Sequence, residues 1–147
     1  MPAEKYILLS IQPRIVEEII NGTKKFEFRR KFPDLDNSNI SRKVIIYCSS
    51  PVMKIIGSFV VKNFYHSDFD TLMKKVKADD AYNKRISKYL IDKASCFAME
   101  ISELNIYDIP LTLEYLRKTY SGFCPGQSYR YLSEEIKSDL TAKNNGL

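Results

Sequence analysis

The sequence predicts an α+β domain, mainly β: a small closed β-barrel of five to six strands with peripheral helices. Three observations carry this. Val44-Ile45-Ile46-Tyr47-Cys48 and Lys54 to Val61 are strong strand signals separated by a Ser-Ser-Pro turn, as in neighbouring antiparallel strands. Gly57 stands inside the second run, where a sheet bends or bulges to close on itself. The helical stretches interrupt the strands singly and irregularly, which disfavours a doubly wound parallel sheet.

A chain of 147 residues with 44% hydrophobic content forms one domain, 1–147, with a core that needs neither metal nor disulfide. Lysine and arginine number 23 against 18 acidic residues, a formal charge of +5 that tolerates a polyanionic partner without proving one. Cys48, Cys96 and Cys124 are odd in number and widely spaced, so neither a metal site, a disulfide framework nor a cofactor is expected. With no secretory leader they point to a reducing cytoplasm. The longest apolar stretches, such as Ile55 to Val61, fall far short of the roughly 20 residues that span a membrane.

Tyr6 to Ile11 reads as the first strand. Pro13 suits the first position of a helix, where its missing amide would be unpaired, and Ile15, Val16, Ile19 and Ile20 form its stripe until Asn21-Gly22 stops it. Lys25-Phe26-Glu27-Phe28-Arg29 then alternates with period two, placing Phe26 and Phe28 on one face and Lys25, Glu27 and Arg29 on the other. Pro33 to Ser41 is an Asp- and Asn-rich loop. After Val44–Cys48 and Lys54–Val61, the stripe Phe69, Leu72, Met73 and Val76, resumed by Tyr82, Ile86, Tyr89 and Leu90, predicts two helices or one broken helix. Lys74, Lys75, Lys77, Lys84, Arg85, Lys88 and Lys93 make this region a solvated helical face or a nucleic-acid surface. Ser95 to Leu104 alternates as a core strand carrying one acid, Glu100. Pro110 is expected to open a helix with the stripe Leu113, Leu116 and Tyr120, and Ser133 to cap a closing helix that ends at Leu140, with Thr141 to Leu147 frayed.

Ile11-Gln12-Pro13, Gly22-Thr23-Lys24-Lys25-Phe26-Glu27-Phe28-Arg29-Arg30, Tyr47-Cys48-Ser49-Ser50-Pro51, Ile55-Ile56-Gly57 and Gln127-Ser128-Tyr129-Arg130 together resemble the ASCH family of the PUA-like superfamily. The resemblance covers nearly the whole chain. It implies a closed barrel with a cleft near the first helix, and an association with RNA, modified nucleobases and transcription or translation. Some members are amidohydrolases acting on an acylated cytidine, and some have been linked to ribonuclease activity.

Carried over by position, the resemblance places Lys24, Glu27 and Arg29 at the cleft, with Ser10, Tyr47, Ser49, Ser50, Gln127, Ser128 and Arg130 as neighbours. The threonine nucleophile of the amidohydrolase members falls at Lys25, which removes the group that would attack. Alternation selects Lys25 and the family pattern Lys24, unless the strand starts late or bulges. Glu27 and Arg29 are the firmer pair, able to accept from and donate to the edge of a base, or to stiffen the barrel as a salt bridge.

The function expected is a binding module for RNA or a modified nucleoside or nucleotide, not an enzyme. The alternative is a small hydrolase, either a nucleoside amidohydrolase or a metal-independent ribonuclease, using Lys24, Glu27, Arg29 and Glu100 in the same cleft. A protein partner remains a third possibility, and no membrane partner is expected.

Overall fold

The computed structural model describes residues 4–76 and 96–147. Six strands, β1 (Ile7–Ile11), β2 (Phe26–Arg29), β3 (Lys43–Cys48), β4 (Lys54–Ser67), β5 (Cys96–Thr112) and β6 (Tyr129–Tyr131), form one sheet in the order β2-β5-β4-β3-β1-β6. Among the described residues four helices accompany it: α1 (Pro13–Ile20), α2 (Phe69–Lys75), α3 (Leu113–Thr119) and α4 (Glu134–Asn144). The second half of the helical stripe predicted after Asp79, with Lys77, Lys84, Arg85, Lys88 and Lys93, lies outside the described residues.

The sheet is a curved, open half-barrel, which corrects the expectation of a closed barrel. Among the described residues, strands β2 and β6 are its two edges and do not pair with each other. The reason lies in the β1-α1-β2 connection. Strand β1 pairs in parallel with β3, whereas β2 pairs only with β5 at the far edge, so α1 carries the chain from one side of the sheet to the other. Both edges are short, four residues in β2 and three in β6, and each is already paired on its inner side, β2 with β5 and β6 with β1.

Each face of the sheet has its own core. Ile7, Leu9 and Ile11 of β1, with Val44, Ile46, Phe59, Val61 and Met99, pack against Val16 and Ile19 of α1. The alternate residues Leu8, Ile45 and Ile55 point the other way, onto Leu113 and Leu116 of α3 and Ile136 and Leu140 of α4. A smaller cluster of Phe28, Ala98 and Cys96 lies under Leu72 and Val76 at the β2 end. The period of two in β1 and β3 thus decides which helices each residue meets.

Four boundaries differ from the sequence reading. Strand β4 runs to Ser67 and β5 to Thr112, well beyond the expected ends, because they pair with each other through three irregularities that absorb the change in twist. Pro110 therefore lies inside β5. Helix α3 starts instead at Leu113, capped by the Thr112 hydroxyl, which accepts from the Tyr115 amide at 3.0 Å. Helix α4 does not stop at Leu140 but continues to Asn144, whose side-chain amide donates to the carbonyls of Ile109 and Leu140 while its Oδ1 accepts from the Ile109 amide.

Helices α3 and α4 are joined by one carboxylate. Asp139 accepts from the hydroxyls of Tyr115 at 2.5 Å and Tyr120 at 2.6 Å, and its other oxygen lies 3.2 Å from the Lys143 ammonium. Burial acts to raise the Asp139 pKa, but the hydrogen bonds from both tyrosines and Lys143 outweigh it, and the net shift is downward. Burial, with Asp139 next to it, pushes the Tyr120 hydroxyl up. A carboxyl whose folded pKa lies below its unfolded value stabilises the fold fully above that unfolded value and loses the contribution as pH falls through the folded pKa. Thermal melts are expected to weaken below about pH 4 in the wild type. Asp139→Ala should flatten that acid limb and cost about 2 kcal/mol at neutral pH. An unchanged acid limb would dismiss the carboxylate as the staple.

Candidate functional site

The site is built at the seam between the two sheet edges. Helix α1 has its amide-less Pro13 in the first turn, where no partner is needed, and ends at Asn21, whose amide donates to the Glu17 carbonyl. Gly22 follows with φ +82°, a left-handed turn that glycine takes at least cost, and its amide donates to the Ile19 carbonyl at 3.2 Å. Lys24 then donates its backbone N–H to the Glu18 carbonyl, and β2 begins only at Phe26. With this late start it is Lys24, not Lys25, that lies beside Glu27. Lys25 is exposed, while Lys24 is 8% exposed with its ammonium 3.7 Å from Glu27 Oε2.

Glu27 and Arg29 share the face of β2 that carries their cross-strand neighbours Met99 and Phe97. The Glu27 carboxylate, 5% exposed, accepts from Arg29 Nε at 3.1 Å through Oε1, whereas Oε2 has no hydrogen bond and faces the Lys24 ammonium. The anion is therefore held between two cations in a nearly dry setting, an arrangement that costs several kcal/mol of desolvation and is retained only with good partners.

Arg29 crosses the seam. One terminal nitrogen donates to the Ser10 carbonyl on β1 at 3.0 Å, and the other approaches the Ser128 hydroxyl, just before β6, at 3.4 Å. The guanidinium thus stands where a closed barrel would have a backbone ladder. Its fork has three N–H directions engaged by three different segments, a task that the point charge of lysine cannot perform. The bond to Ser128 is the longest of the three and the easiest to exchange for another acceptor.

Ser10 and Ser128 are themselves fixed by backbone. The Ser10 amide donates to the Ser128 carbonyl at 2.9 Å, and the Ser10 hydroxyl donates to the Gly126 carbonyl at 3.0 Å. Gly126 has φ +79°, so the Pro125-Gly126 turn brings the chain back beside β1. Tyr47 is directly across from Ser10 in the parallel β1/β3 pair, and its ring is buried among the residues that face α3. Burial lifts the Tyr47 hydroxyl above its ordinary range, with the Arg117 charge working in the opposite direction.

Lys24, Glu27, Arg29, Ser10 and Ser128 are thus brought together, with Tyr47 alongside Ser10. Ser49 follows the end of β3, and its amide donates to the Ile11 carbonyl; Ser50 is exposed in the turn through the cis Ser50–Pro51 bond. Gln127 is exposed. Arg130 turns away from Arg29, donating to the Cys124 carbonyl and, through Nε, to the Tyr131 carbonyl. Glu100 is opposite Phe26 rather than Glu27 and accepts from Asn63 at 2.6 Å, so the structure does not gather it with the carboxylate and cations of the seam.

Sequence reading did not single out Arg117, an exposed residue of α3 whose positive charge acts to lower the Tyr47 pKa against the effect of burial.

Comparison with known proteins agrees with this architecture. The chain is 25% identical over 145 residues to an ASCH domain-containing ribonuclease of Zymomonas mobilis, covering 97% of this chain and 94% of that one. Crystal structures of the Zymomonas mobilis ASCH protein superpose with a TM-score of 0.75, covering 94% of each chain at 22% identity. Its Y47F mutant gives 0.77, covering 95% of this chain and 98% of the other, and its S128A mutant 0.76, covering 97% and 98%. The N-terminal domain of Staphylothermus marinus McrB shares the fold at 13% identity, with a TM-score of 0.58 over 97% of this chain and 96% of that domain. The expectation of a purely non-enzymatic module is corrected by the first of these, since a relative matched over nearly its whole length is named as an enzyme. Lys25 in place of a threonine bears only on the amidohydrolase chemistry. The ASCH domain model itself matches residues 9–107, from β1 into β5 and including the whole Lys24-Glu27-Arg29 array, and the chain belongs to the ASCH domain family.

Proposed function

We propose that this chain is a single ASCH domain that binds single-stranded RNA at the β2/β6 seam and cleaves its phosphodiester bonds there. The observation that carries the reading is the Arg29 fork, held by buried Glu27 and ending at the exchangeable Ser128 contact of 3.4 Å. A phosphate oxygen is a better acceptor for a guanidinium than a serine hydroxyl and can take over that contact. Phosphoryl transfer asks a protein mainly for positioning and for stabilisation of charge that grows in the transition state. Arg29, oriented before the substrate arrives, supplies both, while Ser128 and Ser10 set where the phosphate stops. Lys24 keeps the Glu27 carboxylate balanced when Arg29 turns partly toward the ligand.

One further point supports cleavage over binding alone: the relative of similar length is named a ribonuclease. The Y47F and S128A forms of the Zymomonas mobilis protein change residue types found under the same numbers here, as Tyr47 and Ser128, and so suggest which side chains to test. An amidohydrolase reading lacks support from the seam, because Lys25 occupies the threonine position and is exposed, and the Thr23 segment is a turn closed by Asn21.

The test is incubation of the pure protein with end-labelled single-stranded RNA, with and without an added divalent cation, and analysis of the products by mass. Cleavage by the wild type, reduced at least about tenfold in Tyr47→Phe and Ser128→Ala, is expected. Intact RNA that is nonetheless bound would reduce the function to recognition. Neither binding nor cleavage would overturn the proposal.

A further inference from the structure

The segment that supplies Ser128 to the seam also supplies Arg130 to a separate cavity. Alternation in β6 places Tyr129 with the core facing α1, while Arg130 pairs with Leu8 and lies on the side of α3 and α4. There a cavity of about 510 Å³ opens between the Tyr120–Phe123 turn and the start of α4, lined also by Arg130, Ser133, Glu134 and Glu135. Its size falls in the roughly 300–1,000 Å³ range of small-molecule pockets.

The guanidinium of Arg130 is laid 5.2 Å from the centroid of the buried Phe123 ring. Its Nε donates to the Tyr131 carbonyl and a terminal nitrogen to the Cys124 carbonyl, so its plane is held from two sides before any ligand arrives. A flat cation fixed on an aromatic ring is a stacking platform for a nucleobase. The acidic residues decide between base and phosphate. Glu134 and Glu135 line the same cavity and would repel a phosphate, yet their carboxylates accept hydrogen bonds from the amino group of a base.

We infer that the cavity between the Tyr120–Phe123 turn and α4 is a second subsite, taking one unpaired amino-bearing nucleobase stacked on Arg130. The inference rests on the RNA reading of the seam and extends it. Ser128 and Arg130 are two residues apart, about 6.6 Å of backbone. Although the Arg130 side chain leads to the other side of the sheet, β6 is an edge strand around which an extended RNA can pass from one to the other. A strand whose phosphate meets Arg29 and Ser128 therefore reaches the Arg130 platform with an adjoining base. Recognition at the seam is through the backbone and indifferent to sequence, so this cavity gives the protein its preference among bases.

Five-nucleotide 2′-fluoro oligonucleotides test this by fluorescence anisotropy. In the wild type, an abasic substitution scanned along the strand should weaken binding about tenfold at one position and little elsewhere. Cytosine or adenine at that position should bind more tightly than uracil. Against Arg130→Ala the abasic penalty should disappear, and Arg130→Lys should restore little of it because an ammonium offers no plane to stack on. An abasic penalty of equal size in the wild type and R130A, or no penalty at any position of a strand that does bind, would overturn the subsite while leaving the seam reading intact. Failure of the wild type to bind or cleave any RNA would overturn both. The abasic scan uses the wild-type protein alone and remains decisive if a variant fails to fold.

Discussion

Arg29→Ala is expected to abolish RNA cleavage and to destabilise the protein by about 3–5 kcal/mol, the usual cost of removing one partner from a buried ion pair. Both losses have the same origin. The Arg29 side chain is 12% exposed and holds Glu27, the Ser10 carbonyl and the Ser128 hydroxyl, so its removal leaves a buried carboxylate with Lys24 alone at 3.7 Å and unties the two sheet edges. The structural and functional parts separate in the double variant R29A/E27Q. Neutralising Glu27 removes the buried carboxylate but leaves the buried Lys24 ammonium as the remaining charge, so only part of the stability should return in urea melts, while RNA cleavage stays lost because the phosphate ligand is gone. Arg29→Lys should keep more stability than alanine and yet cleave poorly, since an ammonium cannot reach three acceptors at once. If R29A melts like the wild type in urea, Arg29 does not bind the seam together; if R29A/E27Q cleaves RNA normally, the seam is not the active centre.

The reach of the sequence is clear from these residues. Alternation was enough to put Glu27 and Arg29 on one face of β2, and Pro13 and Asn21-Gly22 were enough to bound α1, because those signals are local. Lys24 was undecided between two local rules until the start of β2 at Phe26 put it beside Glu27. The open sheet was not legible. Strand signals of closed and open barrels are alike, and the difference lies in whether β2 meets β6, a contact between residues about 100 positions apart that Arg29 makes with a side chain instead of a backbone ladder. Pro110 misled for a similar reason: it can open a helix, but here the β4 pairing holds the strand to Thr112 and a threonine hydroxyl takes over as cap. Arg130 was placed beside the cleft by the family resemblance carried over by position, whereas its side chain donates to the Cys124 and Tyr131 carbonyls and lines another cavity.

Gly57→Ala should be the most damaging of the glycine-to-alanine changes in this protein. An alanine Cβ at Gly57 would lie 2.3 Å from the Asn105 carbonyl oxygen and 3.2 Å from the Ile106 Cα. Both atoms are backbone of β5, so no side-chain rotation relieves the clash; the strands must part. Gly57 is paired with Ile46 of β3 on one side and Ile106 of β5 on the other, at an irregularity in the β4/β5 ladder. Moving β5 also moves β2, which pairs with nothing else, and with it the Glu27 and Arg29 side chains relative to Ser10 and Ser128. A loss of about 3 kcal/mol or more is expected, lowering the melting temperature by roughly 6–12 °C for a domain of this size. RNA cleavage measured well below the melting point should fall as well, because the seam widens before the fold is lost. Gly22→Ala is the matching control: it has φ +82° but nothing within 4 Å of an added Cβ, so only the left-handed backbone is penalised, at about 1 kcal/mol. Should G57A melt within a degree of the wild type, the close approach of β4 and β5 at this point is not what fixes the curvature of the sheet. Should it lose stability yet cleave at the wild-type rate, the spacing of the seam is set by α1 and the Gly126 turn and not by β5.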